Sequence, residues 1–123
     1  MYAENLAIGF TGNDSPTFAT NLTLGPFTSL GSGTYRVDYS YSWGRNNTAT
    51  QFIAQIVGGV SGTMMQQNWY SPGLFLRSPA AGGYFEVTYV GSVTETFTLE
   101  FCGSSGGHTS IIWDSRMAIT RVA

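Results

Sequence analysis

Lysine is absent from this 123-residue chain, and cysteine and histidine occur once each. The single cysteine, Cys102, excludes an internal disulfide, which fits folding in a reducing cytoplasm. One histidine and one cysteine cannot build a zinc site within one chain, so neither a metal nor another cofactor is expected. Charge is scarce as well. Only 10% of the residues are charged, against roughly 25–35% advised for the surface of a soluble monomer. The net charge is −2 and the five basic residues, all arginine, are scattered, which argues against a nucleic-acid footprint. No apolar run approaches the roughly 18 residues of a membrane helix, so no membrane association is expected. The opening Met1-Tyr-Ala-Glu-Asn5 has no basic or apolar region of a signal peptide.

What is present is alternation. From Thr34 to Trp43, Tyr35, Val37, Tyr39, Tyr41 and Trp43 fall on one face, and Arg36, Asp38, Ser40 and Ser42 on the other. Successive strand residues point to opposite sides, so this period of two marks a strand with one buried face. The pattern recurs at Phe18–Leu24, Tyr84–Val90 and Glu95–Cys102, where Phe97, Leu99 and Phe101 face inward. Gln51–Val57 is apolar on both sides and reads as a central strand covered on both faces. Thr63–Tyr70 and a short segment around Leu74–Leu76 are expected as further strands, and Ser110–Val122 is long enough to carry a bulge. Glycine and proline punctuate these runs at short intervals, and no segment keeps helical spacing. The expected fold is therefore all-β: a single-domain antiparallel β-sandwich of jelly-roll type with about eight strands over residues 17–123, preceded by an N-terminal segment, 1–16, that serves as a contact arm. An immunoglobulin-like sandwich is the runner-up, although the Cys–Trp–Cys pattern of true immunoglobulin domains is missing.

Candidate sites are few. His108 lies in the Gly103–His108 loop near Ser104, Ser105 and Ser110, without a Gly-x-Ser-x-Gly elbow or an orienting partner signature. Paired carboxylates could hydrolyse a glycoside, but Asp38, Glu86 and Glu100 read as outward strand residues. The chain is therefore not expected to be an enzyme. Cys102 has no basic neighbour in sequence and reads as a structural thiol. The scarcity of charge, with arginine and aromatics in place of lysine, matches the composition of interface cores. A neutral surface wetted by Ser, Thr, Asn and Gly is the other reading. Trp69 and Tyr70, just before Ser71-Pro-Gly73, are the aromatics best placed to be exposed, and they suit a protein anchor or a sugar platform.

Three segments together carry a resemblance: Gly33-Thr-Tyr-Arg-Val-Asp-Tyr-Ser-Tyr-Ser-Trp43, Phe52-Ile-Ala-Gln-Ile-Val57 and Ile111-Ile-Trp-Asp-Ser-Arg-Met-Ala-Ile-Thr-Arg-Val122. They resemble small jelly-roll virion proteins of tailed bacteriophages, of the capsid cement or decoration type, and more loosely the C1q/TNF-like trimeric jelly rolls. The resemblance implies a virion protein made in the host cytoplasm that forms homotrimers and binds the major capsid protein. On that basis Tyr39, Tyr41 and Trp113 are expected at the trimer interface, and Tyr2, Phe10, Arg45 and Asn46 at the capsid contact. The alternative is a tail-fibre or receptor-binding tip, or a carbohydrate-binding sandwich, with Trp69, Tyr70 and His108 meeting a host-surface glycan.

Overall fold

A computed structural model describes residues 2–29, 31–71, 73, 77–78 and 81–123, all in strands and their connections. Eight strands run in chain order: β1 (Tyr2–Asn13), β2 (Ala19–Thr28), β3 (Gly33–Arg45), β4 (Gln51–Gly58), β5 (Gly62–Tyr70), β6 (Ala81–Tyr89), β7 (Thr94–Gly103) and β8 (Ser110–Arg121). They form two four-stranded sheets, β1-β8-β3-β6 and β2-β7-β4-β5, and every pairing is antiparallel. This strand order is that of the jelly roll, in which consecutive strands alternate between the two layers until β4 and β5 close as a hairpin. The segment expected around Leu74–Leu76 lies outside the described residues.

The alternation seen in sequence builds the core directly. Tyr35, Val37, Tyr39, Tyr41 and Trp43 of β3 face Phe52, Ala54 and Ile56 of β4 and Phe97, Leu99 and Phe101 of β7 across the sandwich. The core is aromatic at its centre. Trp43 stacks on Trp69 with ring centroids 5.4 Å apart and planes 11° apart, and on Phe52 at 5.2 Å. Offset stacks of this kind add about 0.5–1.5 kcal/mol each beyond the area they bury.

Two expectations change. β4 is buried on one face only: Phe52, Ala54 and Ile56 are inside, whereas Ile53, Gln55 and Val57 lie half-buried on the outside. A two-layer sandwich covers only the inner face of each sheet, and Ile53 and Val57 are apolar residues on the open side. The N-terminal segment is not a free arm. Tyr2–Asn13 pairs along its length with β8 and forms one edge of the first sheet. Its pairing breaks between Ala7 and Phe10, where Ile8 and Gly9 stand against the single residue Asp114. Gly9 adopts a φ of +88° and Asp114 a φ of +46°, so the bulge uses the left-handed region on both strands. At the same level β8 shifts register against β3, between Ser40 and Ser42.

Candidate functional site

The two outer faces of the sandwich differ. On the β2-β7-β4-β5 sheet the outer side is almost uncharged, with Thr23 beside Thr98, a ladder running Gln66 to Gln55 to Glu100, and the half-buried Ile53 and Val57 among them. On the β1-β8-β3-β6 sheet three ion pairs lie outside: Arg36 with Asp38, Arg77 with Asp114 and Arg116 with Glu4. The Arg36 guanidinium also lies 4.0 Å above the Tyr84 ring, a cation–π contact.

Among the described residues the most apolar part of the surface is the β1 edge of this face. Leu6 is 52% exposed, Ile8 92% and Phe10 71%. Leu6 pairs with Arg116 and Phe10 with Trp113, so both point to the outer side of the sheet, and the bulge carries Ile8 between them. Side chains of this exposure offer on the order of 400 Å² of apolar surface, comparable with the largest patch on a typical monomer. The bulge is held by a clamp. The Asp114 carboxylate accepts from the Gly9 amide at 2.9 Å and from Arg77 Nη2 at 2.6 Å. The Gly9 hydrogen bond, followed by that of Arg77, holds the Asp114 carboxyl below the usual aspartate range. Arg77 reaches over the Trp113 ring at 5.6 Å from its centroid, so one guanidinium ties the clamp to the neighbouring aromatic.

At the end of the sandwich formed by the β1–β2, β3–β4 and β7–β8 loops, Arg45 is the organising residue. It is fully buried. Its Nε donates to Thr50 Oγ1 at 3.0 Å, Nη1 to Ser110 Oγ at 2.6 Å and to the His108 carbonyl at 3.3 Å, and Nη2 to the Ser105 carbonyl at 2.9 Å. Burial lowers its pKa. A Cβ on Gly103 would stand 1.9 Å from Arg45 Nη1, so only glycine leaves room for the guanidinium. Asn46 Oδ1 accepts from the Thr109 amide at 2.8 Å, and the Gly107 amide donates to the Asp14 carbonyl at 3.3 Å, lacing the three loops together.

These positions revise the sequence-based assignments. Tyr39 and Tyr41 cannot meet a second subunit because both lie in the core, Tyr41 with its hydroxyl donating to Gln67 Oε1 at 2.6 Å. Burial raises the pKa of both phenols. Trp113 is half-buried on the outer face beside Phe10, the two brought together by the β1–β8 pairing. Arg45 cannot touch a capsid, since its guanidinium is spent inside the loop cluster, and the Asn46 side chain braces the same cluster. Phe10 is exposed as expected, and the side chain of Tyr2 lies outside the described residues. Trp69 is not a free platform, because its ring stacks on Trp43, whereas the adjoining Tyr70 is 60% exposed. Gln51 pairs with Tyr70, and its backbone amide donates to Ser104 Oγ at 2.8 Å, placing Tyr70 next to the Gly103–His108 loop. The His108 ring meets Asn47 at 3.4 Å, while Ser104 and Ser110 hydroxyls serve Gln51 and Arg45. Burial raises the Cys102 thiol pKa, with Arg45 opposing, as suits a structural thiol. Among the described residues no three His, Cys, Asp or Glu side chains gather in a metal-binding group.

Leu6 and Ile8 were not singled out by sequence reasoning. Leu6, Ile8 and Phe10 alternate with Asn5, Ala7 and Gly9, which signals a strand, but an apolar strand face normally points inward. Only the pairing to β8 shows that this face points out.

No protein-family model and no characterised protein matches the chain in sequence. Solved structures do match in shape. The chain superposes on a mutant VP2 protein of infectious bursal disease virus, in derived T=1 particles, with a TM-score of 0.52 at 10% identity, covering 96% of this chain and 32% of that one. It superposes on the VP2 subviral particle of the same virus with a TM-score of 0.50 at 11% identity, covering 100% of this chain and 37% of that one. A carbohydrate-binding domain (CBM36-1) of a multidomain xylanase from a Trinervitermes trinervoides hindgut metagenome follows at a TM-score of 0.38 and 16% identity, covering 98% of each chain. The chain spans about a third of the length of the VP2 chains it matches. The fold shared with these VP2 chains is the jelly-roll β-sandwich.

Proposed function

We propose that the chain is a non-enzymatic structural protein of a bacteriophage virion, a cement or decoration protein that sits on the shell as a homotrimer and stabilises it. It is made in the host cytoplasm and its partners are further copies of itself and the major capsid protein. The observation that carries this reading is the contrast on its surface: a charge-poor jelly roll with the apolar stripe Leu6, Ile8 and Phe10 held out on a clamped edge strand. Burying three such side chains is worth about 1.5–3 kcal/mol each before the costs of association. The jelly-roll fold shared with a capsid protein supports the same reading.

The mechanism is linkage. A protein that binds the assembled shell and not its dissociated subunits stabilises the shell by its binding free energy, about 2.7 kcal/mol per site when present at 100 times its dissociation constant. The test is to add purified protein to shells lacking it and follow disruption by heating. A rise in the disruption temperature that saturates with added protein is expected, and shells unaffected at saturating protein would remove the cement role.

One feature favours a second reading, a receptor- or glycan-binding tip. Exposed Tyr70 stands beside a loop cluster that Arg45 has already ordered, and preformed loops lower the cost of binding. Glycan-array binding that Tyr70→Ala abolishes would favour this reading over the first, and silence across broad arrays would count against it.

A further inference from the structure

We infer that the β1 stripe is the seam between copies of this chain: Leu6, Ile8 and Phe10, with the Trp113 ring at their flank, meet their own equivalents along the symmetry axis of the trimer. This rests on the homotrimer reading above and names the surface that makes it.

Three observations select a second copy as the occupant. The first is charge. Identical surfaces that meet at an axis place like charges together, which is costly. Here the charged groups flanking the stripe are already paired within the chain, Arg116 with Glu4 beside Leu6, and Arg77 with Asp114 beside Phe10. Copies therefore meet across a neutral apolar strip.

The second is how the edge is finished. A bare edge strand invites another strand to add to its ladder. The Leu6 amide is instead taken by Asn5 Oδ1 at 2.9 Å. The Asn5 amide nitrogen in turn donates to the Thr23 carbonyl of β2 at 2.7 Å, closing the gap between the layers at that point. β1 thus presents side chains for packing while its Leu6 amide is withheld from strand addition, which suits a closed ring of subunits over an open stack.

The third is area and timing. The stripe offers about half of the roughly 800 Å² that one partner gives to a standard interface. A patch of this size is one that a protein commonly uses for contact, and further copies of the chain are the partner available from synthesis onward.

The experiment is sedimentation velocity of the wild-type protein beside Ile8→Asp and Phe10→Asp, with Val60→Asp as a control on the exposed β4–β5 turn. The wild type is expected as a trimer. Each stripe variant should weaken trimer formation by roughly 30-fold or more, the scale of an interface hot spot, and Val60→Asp should leave it unchanged. Ile8→Cys supplies an independent readout that keeps the stripe neutral: mild oxidation should give a covalent dimer, since Cys102 is buried and two of three cysteines at an axis can join. A trimeric wild type whose stripe variants stay trimeric and whose Ile8→Cys form does not cross-link would overturn the seam and leave the trimer intact. If those variants stay trimeric and lose shell binding instead, the stripe faces the capsid. A monomeric wild type would overturn the trimer reading itself.

Discussion

Arg45 shows how far a residue's role can depart from its sequence position. It sits at the junction between an alternating strand and an Asn-rich loop, where an arginine would ordinarily be solvated. Its burial among the carbonyls of Ser105 and His108 and the hydroxyls of Thr50 and Ser110 makes it the core of the loop end. Replacing it with methionine, which keeps much of the volume, strands these acceptors without donors at about 1–3 kcal/mol each where they stay dry. We expect Arg45→Met to lower the unfolding free energy by about 3 kcal/mol in urea titration; a loss under about 1 kcal/mol would mean that water replaces the guanidinium freely. Tyr35 predicts the opposite sign. Its hydroxyl is buried with no hydrogen-bond partner among the described residues. Tyr35→Phe removes that unsatisfied group while keeping the ring contact with Tyr89, so stability should hold or rise by about 1 kcal/mol. Glu95 lies between these cases. It shares the inward face of β7 with Phe97, and it is buried there with four donors converging on its carboxylate: the Val60 and Ser61 amides, Ser61 Oγ and Tyr89 Oη. Glu95→Ala should therefore cost about 3 kcal/mol and loosen the β4–β5 turn first, seen as faster amide exchange at Val60 and Ser61.

Among the elements, β3, β7 and β8 were legible in the sequence and β1 was not. Alternation with large apolar side chains has one stable outcome in a sandwich, since those side chains must be buried together, and Tyr35–Trp43 and Phe97–Phe101 are so placed. The same alternation at Leu6–Phe10 points to solvent, because β1 faces outward from the sheet at this level and no third layer covers it. The bulge in β8 was expected from its length, but its location at Asp114 depends on the Gly9 and Arg77 contacts, which link residues far apart in the chain. That clamp has a definite pH dependence. The folded pKa of Asp114 is depressed by those two hydrogen bonds, so its contribution is fully present above the unfolded aspartate pKa and disappears as pH falls through the lower folded value. The Gly9 amide should thus stay protected at neutral pH and lose protection only in strong acid, and Asp114→Asn should remove this acid step. Amide exchange at Gly9 that stayed constant through the whole acid range would show that the carboxylate does not hold the bulge.

For the whole molecule, composition and topology point the same way. The polar face of Thr23, Thr98, Gln55 and Gln66 and the ion-paired face with its apolar margin are two different solutions to solvent contact on one small sandwich. The low charge is legible in sequence and admits either a covered surface or a neutral wetted one, and among the described residues the largest exposed apolar side chains that adjoin one another lie on β1. Two of the interface residues implied by the resemblance, Tyr39 and Tyr41, instead follow the rule that large alternating aromatics fill the core. The central claim, a shell protein present in many copies, is tested most directly by quantitative mass spectrometry of purified virions from its source, counting this chain against the major shell subunit. The account predicts a copy number comparable with that subunit, and complete absence from the particles would contradict it.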